Sequence, residues 1–333
     1  MGLVRNGRAY AAAAAGVVTL VGGGALALRV PDGDAQAAAG RARIVFLNVG
    51  QGDATLINVG GKFILNDAGE YAVDEVDRWL RKWKAKQIDV AILSHPHDDH
   101  VKNFIPLIED KGWKIKLVVR SESAHWQGTD TNKRLMKLLR EEGLDPPEIA
   151  TRGERFSWGG ASWLVLNPPR DTYTGGESES ANASVALLFE HNGVEVLFTG
   201  DVGPSAARRM AKELEHVADA VDDPIDIFLA THHGAAGGSN DELLRVLRPR
   251  WAVVSAGDKN RFKHPSPEAI ARLKTANAGI WCTARSGSLV ARISAAGKLT
   301  WSPTSTKDPW WSRGPGAKRK GICTIPKPKK TEP

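Results

Sequence analysis

Ser94-His95-Pro96-His97-Asp98-Asp99-His100 brings three imidazoles and two carboxylates into seven residues, directly after the apolar run Ile88 to Leu93. That run has the length and composition of a buried strand, so the polar cluster falls at its end. Histidine nitrogens and carboxylate oxygens are ligands that suit zinc, manganese or iron. So dense a set would repel itself if protonated without counter-charge. Six of the nine histidines in this 333-residue chain fall into three local motifs, which makes a chance polar loop a poor account of them.

Two further motifs repeat the arrangement. Val194, Val196, Leu197 and Phe198 read as a strand running into Thr199-Gly200-Asp201, and Ile225 to Ala230 reads as a buried strand running into Thr231-His232-His233-Gly234. A strand-end aspartate is by itself usually a turn former, but one that follows a strand can also bridge two cations. Three donor motifs, each with a strand before it, are not independent accidents. Asn260-Arg261-Phe262-Lys263-His264-Pro265, after the strand-like Trp251 to Ser255, adds an amide, two cations and an imidazole in one loop.

Between these strands the chain carries amphipathic patterns that predict helices over Asp74 to Lys86, Asp130 to Glu142, Ser205 to Val217, Asp241 to Leu247 and Ser266 to Ala276. Ser266-Pro267-Glu268 supplies a cap followed by proline at the first helical position. Alternating strands and helices argue for an α/β layered architecture. A hydrophobic content of 42% fills a core of that size.

The ordered set of motifs resembles the metallo-β-lactamase fold superfamily, whose HxHxDH loop is matched by His95, His97, Asp99 and His100. Within it, the likeness is to the hydrolase domain of ComEC-type DNA-uptake proteins. It rests on Val49-Gly50-Gln51-Gly52-Asp53, on Asp67 within Ile64 to Gly69, on Asn182-Ala183-Ser184, on Gly200-Asp201, on His232-His233-Gly234 and on Asn260 to Pro265. It covers about residues 43 to 302.

The resemblance implies a four-layer αββα sandwich over residues 41–302 that binds two divalent metal ions, zinc first and manganese as the alternative. His95 and His97 would hold one ion. Asp99, His100 and one of His232 and His233 would hold the second, with Asp201 bridging. Asp53 and Asp67 follow other strands and would either fix imidazole tautomers from behind or serve as turn residues. Arg261 and Lys263 suit phosphate oxygens, and His264 suits either a metal contact or protonation of a leaving alkoxide.

Some positions depart from the family pattern. Asn182 stands where many members have a further histidine ligand, so either one ion has fewer protein ligands or a residue such as His125 or His264 takes the place. The family's HHGS is His232-His233-Gly234-Ala235, with Ser239 further on, and Asn48 replaces the usual aspartate before Val49. ComEC-type proteins carry this domain on a many-helix channel. A single long apolar segment is present here, so no transport role follows.

The formal net charge of +7 sits on the two ends. Residues 1–43 hold five Arg against two Asp, and residues 303–333 hold eight Lys or Arg against two acids. The 32 basic and 34 acidic residues between them leave the central domain slightly negative. Arg5 and Arg8 precede the uncharged Ala9 to Leu28, which reads as a signal peptide or a weak membrane anchor, placing the hydrolase domain outside the cytoplasm of a bacterium. An alanine-rich cytoplasmic leader is the alternative.

The basic tail, with Trp310, Trp311 and clustered Lys and Arg, is expected to be disordered, and either aids solubility or tethers the protein to nucleic acid or anionic lipid. Cys282 and Cys323 would be able to join tail to core in an oxidising compartment.

Two cations about 3.5 to 4 Å apart lower the pKa of a shared water and neutralise charge on a phosphoryl oxygen. The expected activity is therefore metal-dependent phosphodiester hydrolysis through a bridging hydroxide, with Asp99 and His264 taking part in catalysis. DNA is the substrate the likeness suggests, and a smaller phosphodiester fits the acidic core. The competing class is a hydrolase of carboxylic substrates, such as a β-lactam, lactone or thioester. A non-enzymatic binding module is disfavoured by the nearly complete donor set.

Overall fold

A computed structural model of the chain describes residues 40–169, 181–216, 223–258 and 260–305. The expected N-terminal leader, Cys323 and the basic tail from residue 306 lie outside these residues. Among the described residues, no helix is long and apolar enough to cross a membrane.

The first half of the chain opens with a meander of three antiparallel strands, β1 (Ala42–Phe46), β2 (Ala54–Val59) and β3 (Lys62–Ala68). It then switches to parallel pairing with β4 (Val90–Leu93), β5 (Val118–Arg120) and β6 (Glu148–Ile149). The second half does the same. Strands β7 (Arg155–Trp158), β8 (Ala161–Asn167), β9 (Ala186–His191) and β10 (Val194–Phe198) are antiparallel. Strands β11 (Ile227–Leu229), β12 (Trp251–Val254) and β13 (Gly279–Cys282) then add in parallel. The chain closes by sending β14 (Leu289–Ile293) and β15 (Leu299–Pro303) back to the first sheet, where β14 pairs with β1.

Period-two alternation assigns each strand's side chains to a layer. In β1, Ile44 and Phe46 pack against the second sheet with Trp163, Phe189 and Phe198, while Val45 and the following Leu47 pack under helices. Those helices include α1 (Val73–Lys82), α2 (Asp98–Val101), α3 (Phe104–Glu109) and α4 (Asp130–Glu141). On the far face of the second sheet, Leu197, Phe228 and Val254 pack against α5 (Pro204–His216), α6 (Asp241–Leu247) and α7 (Pro267–Thr275). Sheets covered on both faces need near-continuous apolar strands, which is what Ile225 to Leu229 and Trp251 to Val254 are. The result is the expected αββα sandwich of two sheets with flanking helices.

Helix α6 spans the predicted residues, and α7 is capped as predicted, with the Ser266 hydroxyl accepting from the Ala269 amide. Helix α1 stops short of the predicted Lys86. Lys84 adopts φ +59°, and the Ala85 amide bonds the Leu80 carbonyl, a left-handed termination that usually falls to glycine and here falls to a lysine.

The parallel strands all deliver their carboxyl ends to one edge of the sandwich. Asp67 closes β3, His95 to His100 follow β4, Asp201 follows β10, His232 and His233 follow β11, and Ser255 follows β12. In open α/β sheets that edge is where ligands bind.

Candidate metal centre

The turn after β4 divides its polar residues by direction. His97 is the residue before α2, and the first helical turn carries Asp98, Asp99 and His100. Asp98 faces outward to Thr131 at 3.3 Å and Lys102 at 3.8 Å. His95 and His100 are wholly buried, their ring centroids 4.2 Å apart. The ring of His97 meets that of His95 edge-on at 4.4 Å.

Asp201 lies at the centre, with its amide held by the Ser184 hydroxyl at 3.1 Å. Its two oxygens face different imidazoles. Oδ1 lies 3.1 Å from His100 Nε2 and 3.4 Å from His233 Nε2. Oδ2 lies 3.5 Å from His95 Nε2 and 3.5 Å from His232 Nε2. The sequence posed a choice between His232 and His233, and the structure puts one on each side of this carboxylate. It does so with consecutive left-handed residues, φ +50° at His232 and +54° at His233. Non-glycine residues rarely hold that conformation without surrounding support. Here the His232 amide bonds the Gly200 carbonyl, and Nδ1 of His233 donates to the Ser255 carbonyl at 3.0 Å.

Two donor clusters share Asp201. Single donor atoms of His95, His97 and Asp201 lie within 4.8 Å of one another, and so do those of Asp53, His100, Asp201 and His233. Asp99 adjoins the second, with Oδ2 3.3 Å from His233 Nε2. His100 Nε2 and His233 Nε2 face each other at 3.2 Å, an approach that needs a proton or another cation between them. His95 Nε2 and both Asp53 oxygens are buried with no hydrogen-bond partner. Buried polar atoms are normally paired. Orphaned lone pairs converging from imidazoles and carboxylates therefore fit divalent cations with nitrogen and oxygen preferences.

The rear of the site orients the rings. Asp67 Oδ2 lies 2.9 Å from His100 Nδ1, and Oδ1 accepts from the Ser94 amide at 2.8 Å. Ser94 Oγ reaches His95 Nδ1 at 3.0 Å and His100 Nδ1 at 3.3 Å. These contacts turn Nε2 of both rings toward Asp201. Asp53 is closer to the donors than a purely supporting role requires, 3.4 Å from His233 Nδ1 and within the second cluster. The Asp53 amide bonds the Asp99 carbonyl, while the Gly52 carbonyl accepts from Ser255 Oγ at 2.7 Å. The Val49 to Asp53 loop thus ties the two halves together beneath the site.

Burial and charge set the protonation of the cluster. Burial holds His97 down at about 3, reinforced by His95. Burial also lowers His95, and His100 adds to that. His100 and His233 are raised well above the usual histidine range, because the charge of Asp201, with Asp67 behind one ring and Asp53 behind the other, outweighs burial. Burial opposes the charge of Asp201 too, but His100 and His233 outweigh it and hold the carboxyl well below the usual range. The site is thus poised to exchange protons for cations.

His264 sits over the pair, its ring 5.6 Å from that of His232 and 6.4 Å from that of His233, with Nδ1 buried and unpartnered. Burial and the two neighbouring imidazoles push it down to about 4. Asn260 fixes the loop by accepting from the His264 amide at 2.9 Å and donating to the Gly257 carbonyl at 2.8 Å. Arg261 lies over the Phe262 ring at 4.7 Å, and Lys263 is exposed at φ +59°. Asn182 serves the turn beyond Asp201, its Oδ1 accepting from the Gly203 amide at 3.1 Å. His125 is in neither donor cluster among the described residues.

Ser94, Ser184 and the Ser255 carbonyl were missed as functional positions in the sequence. The first two lie inside motifs already singled out. The third acts through its backbone, which no side-chain pattern discloses.

The sequence profile of the metallo-beta-lactamase superfamily matches residues 47–258. The chain is 25% identical over 204 residues to ComE operon protein 3 of Bacillus subtilis, covering 61% of this chain and 24% of that protein. It is 26% identical over 274 residues to recombination protein 2 of Haemophilus influenzae, covering 80% and 31%. The chain thus spans about a quarter to a third of the length of these curated relatives. Among solved structures, the metallo-beta-lactamase fold protein YhfI from Bacillus subtilis aligns with a TM-score of 0.47 at 12% identity, covering 78% of this chain and 100% of that one.

Proposed function

The chain belongs to the metallo-β-lactamase superfamily, and on that premise we propose that it is a two-metal phosphodiesterase acting on DNA. The observation that carries this reading is the split of Asp201, one oxygen toward His95 and His232 and the other toward His100 and His233. A carboxylate so shared divides the donors into two seats. His95 and His97, with His232 beside them, make one seat. His100 and His233 make the other, with Asp53 and Asp99 at its edge.

Divalent cations in these seats would polarise a phosphoryl oxygen and bring water toward ionisation near neutral pH. The remaining tasks fall to the chain. Asp67, Ser94 and the Ser255 carbonyl fix the imidazole tautomers, so that each ring presents Nε2 and not Nδ1. Asp99, on the first turn of a helix, is a carboxylate placed to orient an attacking water by accepting a hydrogen bond from it. His264 closes the site from above with an unprotonated ring, and Arg261 and Lys263 meet the non-bridging oxygens of the substrate. DNA as substrate is supported by the likeness to ComEC-type uptake proteins and by a relative named for recombination.

The test is a substrate panel run after chelation and re-addition of zinc or manganese. Bis(p-nitrophenyl) phosphate and labelled DNA are expected to be hydrolysed only with metal. Hydrolysis of a thioester, lactone or β-lactam with both phosphodiesters untouched would replace this reading with carbonyl hydrolysis.

A further inference from the structure

Two large apolar side chains stand exposed among the described residues, Tyr71 at 68% and Phe262 at 50%. Scattered exposed aromatics are ordinary, but these two flank one opening. Tyr71 follows Gly69, whose amide bonds the His100 carbonyl, and its ring lies against Gly50 of the loop that carries Asp53. Phe262 belongs to the loop that covers the site, and its ring stacks on His264 with centroids 5.7 Å apart and planes 18° from parallel.

The loops that carry the two rings meet at Gly257, which packs closely against Gly50 and Gln51 and whose carbonyl accepts from Asn260. The Arg261 guanidinium lies over the Phe262 ring at 4.7 Å. The mouth of the metal centre is therefore lined by the exposed ring of Tyr71, the half-exposed ring of Phe262 and the guanidinium stacked on it. Flat π-faces with an adjacent guanidinium are how proteins hold unpaired bases while the phosphate passes to a positive site. A duplex offers no such faces, because its bases are already stacked. The central domain, with 32 basic and 34 acidic residues, also lacks the charge excess for broad groove binding.

On the nuclease reading above, we propose that Tyr71 and Phe262, with Arg261 on the latter, form a clamp that stacks unpaired bases of a single-stranded polynucleotide beside the metal seats. The substrate is then an unpaired strand or a frayed end, with sequence preference weak because every base presents a π-face.

The experiment uses the full chain stripped of metal, so that nothing is cut, with a short oligonucleotide containing 2-aminopurine. Binding is read by anisotropy and stacking by quenching of the 2-aminopurine. The wild-type protein is expected to bind and quench. Phe262→Ala and Tyr71→Ala should each weaken binding about tenfold and relieve the quenching, while Phe262→Trp keeps both. Both side chains are exposed, so unchanged circular dichroism is expected to accompany these losses.

Unchanged affinity and quenching in the double alanine variant would overturn the clamp. So would failure of the wild type to bind, or equal affinity for the matching duplex. Metal-loaded wild type on the same oligonucleotide separates the two levels. Stacking without cutting leaves the clamp standing and removes the nuclease reading, whereas cutting with no effect of the substitutions removes the clamp alone.

Discussion

Asp67 places Oδ2 2.9 Å from Nδ1 of His100 while its own backbone is held at φ +55°. A left-handed aspartate at the end of β3 thus aims a carboxylate at the back of a buried imidazole, and Nε2 of that ring is left facing Asp201. Asparagine tolerates the same backbone but loses the charge and presents an amide to one of the two partners. Asp67→Asn is expected to keep the fold and lower metal affinity about 10- to 100-fold. Competition with a chromophoric chelator checks this, and an unchanged affinity would show that Asp67 is only a turn residue.

His232 and His233 make separable predictions because they face different oxygens of Asp201. Each alanine variant should lower the metal content from two ions per chain toward one. The ion lost first should differ, with the His233 variant mimicked by His100→Ala and the His232 variant by His97→Ala. Elemental analysis reads the loss, and double variants with His97→Ala or His100→Ala show which seat is emptied, since only a pair spanning both seats falls toward zero. Full loading of either variant would exclude that histidine from a seat.

Gly52 has φ +124°, and a Cβ there would land on the Asp99 carbonyl oxygen. Neither the conformation nor the contact has room to relax without moving the turn that carries Asp99 and His100. Gly52→Ala should cost roughly 2–3 kcal/mol of stability and most of the activity. Thermal unfolding beside a metal-binding titration tests it, and a wild-type melting temperature would refute the steric reading.

Glu195 lies directly opposite Glu190 across β9 and β10, and its amide bonds the Asp226 carboxylate. Burial, then Asp226 and Glu190, push its carboxyl up to about 7. A raised folded-state value means the folded protein holds this proton more tightly than the unfolded chain. Stability from this group is therefore fullest below the ordinary carboxylate range and is lost as pH rises toward 7. Because the group is partly exposed and screened, Glu195→Gln should stabilise the protein by only about 1 kcal/mol at pH 8, with little effect at pH 4. Denaturant melts at the two pH values decide it, and a pH-independent difference would show that the charge is not the cause.

Much of this was legible before the structure, and the boundary has physical reasons. His95, His97, Asp99 and His100 could be read together because their spacing is local, and Ser266-Pro267 announced a helix start because capping chemistry is local too. Asp201 could be placed because apolar strands precede both it and the histidine pair. What could not be read depends on backbone conformation or long-range contact. Left-handed dihedrals at His232 and His233, not the residue types, split that pair across Asp201. A lysine in the same conformation ended α1 early. Asp53, 180 residues before His233 in the chain, joined the donor cluster only through the docking of the two halves. Nothing in the sequence distinguishes Phe262 within its basic loop, because its stacking on His264 and its contact with Arg261 are products of the loop's conformation.

Phosphodiester hydrolysis by two cations that share Asp201 is tested most directly by following DNA hydrolysis as metal is titrated into the stripped protein. The predicted result is a rate that climbs until two equivalents are bound, with Asp201→Ala flat throughout. A rate complete at one equivalent, or an Asp201→Ala variant that turns over as fast as the wild type, would contradict it.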